Sequence, residues 1–213
     1  MQQIREQYSA GHILAKAVRV VTIPPVMALL LLVLVKNFSG FAIFKGFLDF
    51  ALSVMFLAIV PFAAYPVSYA ISDIRQKGRE GQRNLAFLFN LAGYTLALGY
   101  GALGSITESL MLIYSTYFLS ALVLTIFNKV LKIRASGHAC CVSGPIVMLI
   151  YFVGPVCILP CAIVYTLVVW ASVKLGRHTA KELFYGAFCA AISFCISAFF
   201  CQLASSARKL NIF

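Results

Sequence analysis

Two short stretches carry the side chains that could do chemistry. The first is Lys132-Ile133-Arg134-Ala135-Ser136-Gly137-His138, which packs two cations, a hydroxyl, a glycine and an imidazole together. The second is Arg177-His178-Thr179-Ala180-Lys181-Glu182, with Lys174 just ahead of it. Cations beside a helix start are the groups that hold phosphate oxygens. His178 and Glu182 stand four apart, so on a helix they share a face and the carboxylate reaches the imidazole. Such a contact fixes the tautomer, leaves the other ring nitrogen free and stabilises positive charge as the ring reacts. A basic loop that only sets membrane orientation would account for Lys132 and Arg134. It does not account for the Ser-Gly-His next to them.

The elements that must position these groups are apolar. Of 213 residues, 62% are hydrophobic and 11% charged, whereas soluble domains run at roughly 45–50% and about 25%. The apolar runs are too long and continuous for barrel strands, and they leave no room for a soluble domain. The expected fold class is all-α: a polytopic transmembrane helical bundle of six to seven spans. It is read as one integral-membrane domain over residues 1–213, with its chemical half at about 128–204. Residues 1–17 are polar and mixed, an interfacial segment unlike a cleavable signal. Spans are expected at about 18–35, kinked by Pro24-Pro25; 46–71, bent by Pro61 and Pro66; 84–101; and 109–127. Three more are expected at about 138–153, 156–173 and 179–203. The polar stretch 72–83 interrupts the second and third, and Glu108 is expected as an exposed cap of the fourth.

Gly154-Pro155 decides how the two stretches meet. Without a break, residues 138–174 would form one helix far too long for a hydrocarbon core of ~30 Å. Gly ends helices and Pro cannot continue one, so the chain crosses twice and brings His178 back to the face of His138. The cations agree with this count. Thirteen of the seventeen lysines and arginines fall on one face: Arg5, Lys16, Arg19, Arg75, Lys77, Arg79, Arg83, Lys129, Lys132, Arg134, Lys174, Arg177 and Lys181. Lys36, Lys45, Arg208 and Lys209 fall on the other, so the first face is expected to be cytoplasmic. The formal charge of +11 thus belongs to membrane ends, which argues against a nucleic-acid partner. The seven cysteines are odd in number, and Cys157, Cys161, Cys189, Cys195 and Cys201 lie in expected spans as small hydrophobes. Cys140 and Cys141 come just after His138, but their spacing fits no zinc pattern.

Lys132 with Arg134-Ala135-Ser136-Gly137-His138, and Arg177-His178-Thr179 opening the last helix, resemble the second and third motifs of the type 2 phosphatidic acid phosphatase superfamily. These are integral-membrane, metal-independent lipid phosphatases. The stretch Ile71 to Arg83 resembles a linker of some prokaryotic members, and the likeness covers roughly residues 60–190. The resemblance implies that His178 is the nucleophile, forming a phosphohistidine. Glu182, where the family usually has aspartate, would orient it. His138 would protonate the leaving group and then help activate water. Lys132, Arg134, Ser136 and Gly137, with Arg177 and Lys174, would hold the phosphate. No metal or other cofactor is implied. The substrate would be a lipid phosphate or polyprenyl diphosphate, and the location the plasma membrane of a prokaryote.

The chain departs from the family pattern in two places. Ala171 and Ser172 stand where a Ser-Arg pair is expected, and the family's first motif is compressed against the second. Physical chemistry points the same way as the resemblance. Phosphoryl transfer needs positioning and charge neutralisation above all, and this face has many cations but few acids, namely Asp73, Glu80 and Glu182. A two-magnesium site would need more carboxylates. A lipid phosphotransferase, or a non-catalytic phospholipid-binding or transport protein, would draw on the same residues.

Overall fold

The computed structural model describes residues 9–39 and 43–210, without the side chains of residues 208–210. Arg5, Gly40, the side chains of Arg208 and Lys209, and the first half of the expected interfacial segment lie outside the described residues. Those described form nine helices and no strand. They are α1 (Ala10–Val21), α2 (Pro24–Ser39), α3 (Phe47–Ala70), α4 (Ser72–Gln76), α5 (Gly78–Leu103), α6 (Glu108–Val130), α7 (Gly137–Val153), α8 (Ile158–Lys174) and α9 (Ala180–Leu210). Five of them are long and apolar enough to cross a membrane: α3, α5, α6, α8 with its leading turn, and α9. The bent pair α1–α2 would make a sixth, while α7 is an apolar helix of 17 residues. The protein is an all-α integral membrane bundle.

α7 is the helix the others surround. It packs against α9, α2, α6 and α8, and buries Ala139, Cys140, Val142, Met148 and Leu149 among them. The core beside it collects Leu31, Leu57, Ile113, Tyr114 and Met148 from α2, α3, α6 and α7 itself, each with essentially no exposure. In lipid, such packing depends on close backbone approach. At Gly93 of α5, a Cβ would lie 2.2 Å from the Phe56 carbonyl of α3. That carbonyl belongs to a π-helical turn, Met55–Ile59, set just ahead of Pro61. The wider turn absorbs the missing proline donor, so α3 runs on past Pro61 and Pro66 as one helix.

Several boundaries differ from those expected of the sequence. The expected first span, 18–35, is two helices meeting at 61°. Pro24-Pro25 opens α2 instead of kinking a single helix, because proline suits a first helical turn and forces the preceding residue out of helical geometry. The polar stretch 72–83 is helical: α4 fills its first part, and α5 begins at Gly78, whose φ of +58° makes the turn. Thr107, not Glu108, caps α6 by accepting from the Leu110 amide. The break at Gly154-Pro155 is present, with Gly154 at φ +106° and Pro155 starting a short 3-10 turn into α8.

The alternation of helices puts the C-terminal end of α1, residues 71–83, 131–138 and 174–182 at one end of the bundle. Residues 43–46, 103–108 and 153–157 lie at the other.

Candidate active site

Two helix ends and one loop build the site. α8 stops in a double-bonded C-cap: the Arg177 amide donates to the Ser172 carbonyl at 3.0 Å, and the Gly176 amide to Val173 at 2.9 Å. Gly176 takes the left-handed conformation this cap needs, with φ +59°. Three residues later Thr179 starts α9. Its Oγ1 accepts from the Glu182 amide at 3.3 Å, while Glu182 Oε2 accepts from the Thr179 amide at 3.4 Å. This reciprocal pair is a capping box, spelled Thr-x-x-Glu in the sequence.

Glu182 therefore does two things at once. The same Oε2 lies 2.8 Å from His178 Nδ1, and Oε1 lies 3.4 Å from Arg134 Nε. The expected pairing of His178 with Glu182 is present, but not across a helix face. His178 precedes the helix, and the capping box bends the carboxylate back toward it. The glutamate is 13% exposed, His178 23% and Arg134 76%. His178 Nε2 has no partner within hydrogen-bonding distance among the described residues.

The loop from α6 to α7 is held against this cap. α6 ends in a π-helical turn, Ile126–Val130, and the Asn128 side chain clamps the loop beyond it. Its amide nitrogen donates to the Leu124 and Ala135 carbonyls at 2.9 and 3.1 Å, and its oxygen accepts from the Ala135 amide at 3.2 Å. Lys132 turns the loop with a φ of +56°, a strained conformation for a residue with a Cβ, costing about 1 kcal/mol or more. The Ser136 amide then donates to the Glu182 carbonyl at 2.8 Å, tying the two stretches together. Gly186 permits the approach: a Cβ there would sit 2.3 Å from the Ser136 carbonyl.

The expected phosphate-binding residues divide into two groups. Ser136 is fully buried, and its Oγ caps α7 by accepting from the Ala139 amide at 3.2 Å, so the hydroxyl is directed into the helix. The amides of Gly137 and His138 belong to the first turn of α7, where helical partners are missing. Arg134 joins Glu182 as described. Lys132 is exposed and Arg177 half-buried, neither within ion-pair distance of a carboxylate among the described residues. Lys174 turns away toward α1, where its Cε lies 3.0 Å from the position of a Cβ on Gly11.

His138 leads to residues the sequence did not single out. Its Nε2 lies 3.0 Å from Thr22 Oγ1, at the break between α1 and α2. The Thr22 hydroxyl also lies 2.7 Å from the Val18 carbonyl, to which it donates, so it accepts from His138 Nε2–H. One turn earlier on α1, Arg19 donates from a terminal guanidinium nitrogen to Ser172 Oγ at 2.7 Å. Arg19 and His178 are both near enough to His138 to act on it electrostatically. Ser172, where the resemblance leads to an arginine being expected, is thus fully buried against an arginine from another helix.

Two open cavities lie elsewhere. They surround Glu108, Ser109 and Cys201 at the opposite end of the bundle, with volumes of about 350 and 770 Å³. Comparison with protein-family models, curated proteins and solved structures finds no match to this chain.

Proposed function

We propose that the chain is an integral-membrane phosphatase of lipid phosphates or isoprenoid diphosphates, a divergent prokaryotic-type relative of the type 2 phosphatidic acid phosphatases. The observation that carries this reading is the imidazole of His178, oriented by Glu182 at 2.8 Å with Nε2 free, beside a second histidine and surplus cations. Nε2 attacks phosphorus and forms a phosphohistidine. His138 takes up a proton as the phosphate anion binds, and the P–O bond to the lipid breaks with its electron pair on the leaving oxygen, which takes that proton from the imidazolium. Water then attacks the phosphohistidine, giving a proton back to His138 and returning the N–P bonding pair to Nε2. Arg134, Arg177 and Lys132 neutralise the phosphate oxygens together with the α7 N-terminus. The mechanism needs no metal, since carboxylates are scarce beside these cations.

The head group would lie at the membrane surface, and the excess of cations at this end supports a cytoplasmic site; the family resemblance is what suggests a prokaryotic plasma membrane. The test is phosphate release from phosphatidate, phosphatidylglycerophosphate and polyprenyl diphosphates in detergent with chelator present. His178→Ala should abolish release. Undiminished release by that variant would sink the mechanism. An added alcohol that captures the phosphoryl group would make the protein a transferase, and tight lipid binding without turnover would make it a binding protein.

A further inference from the structure

Arg19 is the cation whose surroundings are least explained by folding. It sits half-buried on α1, and its one hydrogen bond goes to a neutral acceptor, Ser172 Oγ at 2.7 Å. Among the described residues no carboxylate lies within ion-pair distance of it. A guanidinium offers five donors in a planar fork that matches phosphate oxygens two at a time. Taking such a group part-way out of water without a counter-ion is costly, and buried charges are ordinarily paired. Its neighbour His138 is also a poor partner for a cation, since it carries no negative charge. The missing partner is an anion.

We propose that Arg19 is a phosphate-binding residue of the site, brought in by α1. This rests on the phosphatase reading for its substrate, though not for its geometry. α1 packs on α8, which places Arg19 over Ser172. Three residues on, Thr22 binds His138. One short helix therefore delivers a cation beside His138 and fixes that imidazole, which in turn lies near His178. The phosphate is held between the α1 guanidinium on one side and the α7 N-terminus with Arg134 on the other. Removing α1 from α8 would open the site on one flank.

The plain alternative is that Arg19 only docks α1 through its hydrogen bond. Arg19→Gln separates the two, because a glutamine amide can still donate to Ser172 Oγ but carries no charge. The second variant, Arg19→Gln with Ser172→Arg, returns a guanidinium to the adjoining position on α8. Purified full-length protein in detergent is assayed for inorganic phosphate binding, for KM and kcat on the lipid panel, and for its melting midpoint. Arg19→Gln should weaken phosphate binding and raise KM by about tenfold to a hundredfold with the midpoint unchanged. The double variant should recover part of the loss. Phosphate binding by Arg19→Gln equal to that of the wild type overturns the proposal. So does a loss that tracks a lowered midpoint and is not recovered in the double variant. Wild-type protein that binds phosphate but turns over no lipid removes the phosphatase reading and leaves Arg19 to be decided by binding alone. Wild-type protein that neither binds nor releases phosphate overturns both.

Discussion

Each end of the bundle shelters a carboxylate, and the surroundings of the two differ in kind. Asp49, 7% exposed, accepts from the Tyr100 hydroxyl at 2.7 Å and from the Lys45 amide at 3.0 Å. Ser53 donates to the Asp49 carbonyl and accepts from Tyr114, so its one proton and its lone pair are both used. Donors and acceptors balance there. At the other end Glu182 is equally well held by His178, Thr179 and Arg134, yet Arg19, Lys132, Arg177 and Lys174 have no acidic partner among the described residues. The first network is closed and knits α3 to α5 and α6. The second carries positive charge that the described residues do not neutralise, which is the condition for binding an anion from outside.

Four substitutions test that contrast. The largest effect is expected from His178→Ala, which should lower phosphate release about a thousandfold or more while the melting midpoint stays put. If Asp49→Ala did the same, the division into a structural end and a chemical end would be lost. Asp49→Ala should instead cost about 2–4 kcal/mol of stability, since it orphans the Tyr100 hydroxyl and the Lys45 amide, and leave turnover per folded molecule unchanged. A thermal scan alongside the release assay reads both. Next is Glu182→Gln. Glutamine can still complete the capping box but cannot stabilise an imidazolium, so kcat should fall about a hundredfold with little change in melting. The smallest effect belongs to Thr179→Ala, which removes the cap at a cost of about 1 kcal/mol. Its turnover should drop far less than that of Glu182→Gln. Equal drops for the two would mean that Glu182 acts only as a cap.

Parts of this arrangement are legible in the chain because they depend on local rules. Gly154-Pro155 announces a helix break whatever surrounds it, and that break returns His178 to His138. The spacing of His178 and Glu182 announces a contact, although its route is the Thr179 capping box and not a shared helix face. That capping box is itself readable as Thr-x-x-Glu. Pro24-Pro25 suggests a kink where it makes a helix start, since the residues that settle the angle of α1 are those of α8, far along the sequence. The polar stretch 72–83 looks like an interruption for want of an apolar stripe, yet its Arg, Gln, Lys and Glu residues are good helix formers and the chain continues into α5.

By itself the sequence determined an all-α membrane bundle, its apolar helices, the crossing that pairs the two histidine stretches and the concentration of cations at one end. Those depend on hydrophobicity, on proline and glycine geometry and on charge, all of which act over a turn or two of chain. Tertiary structure alone decided that Lys174 turns toward Gly11 and that Gly186 lets α9 close against the Ser136 carbonyl. It also decided that Arg19 meets Ser172 across 153 residues. No periodicity connects positions so far apart. Their meeting depends on which helix packs against which, and that is set by the fit of whole helix faces.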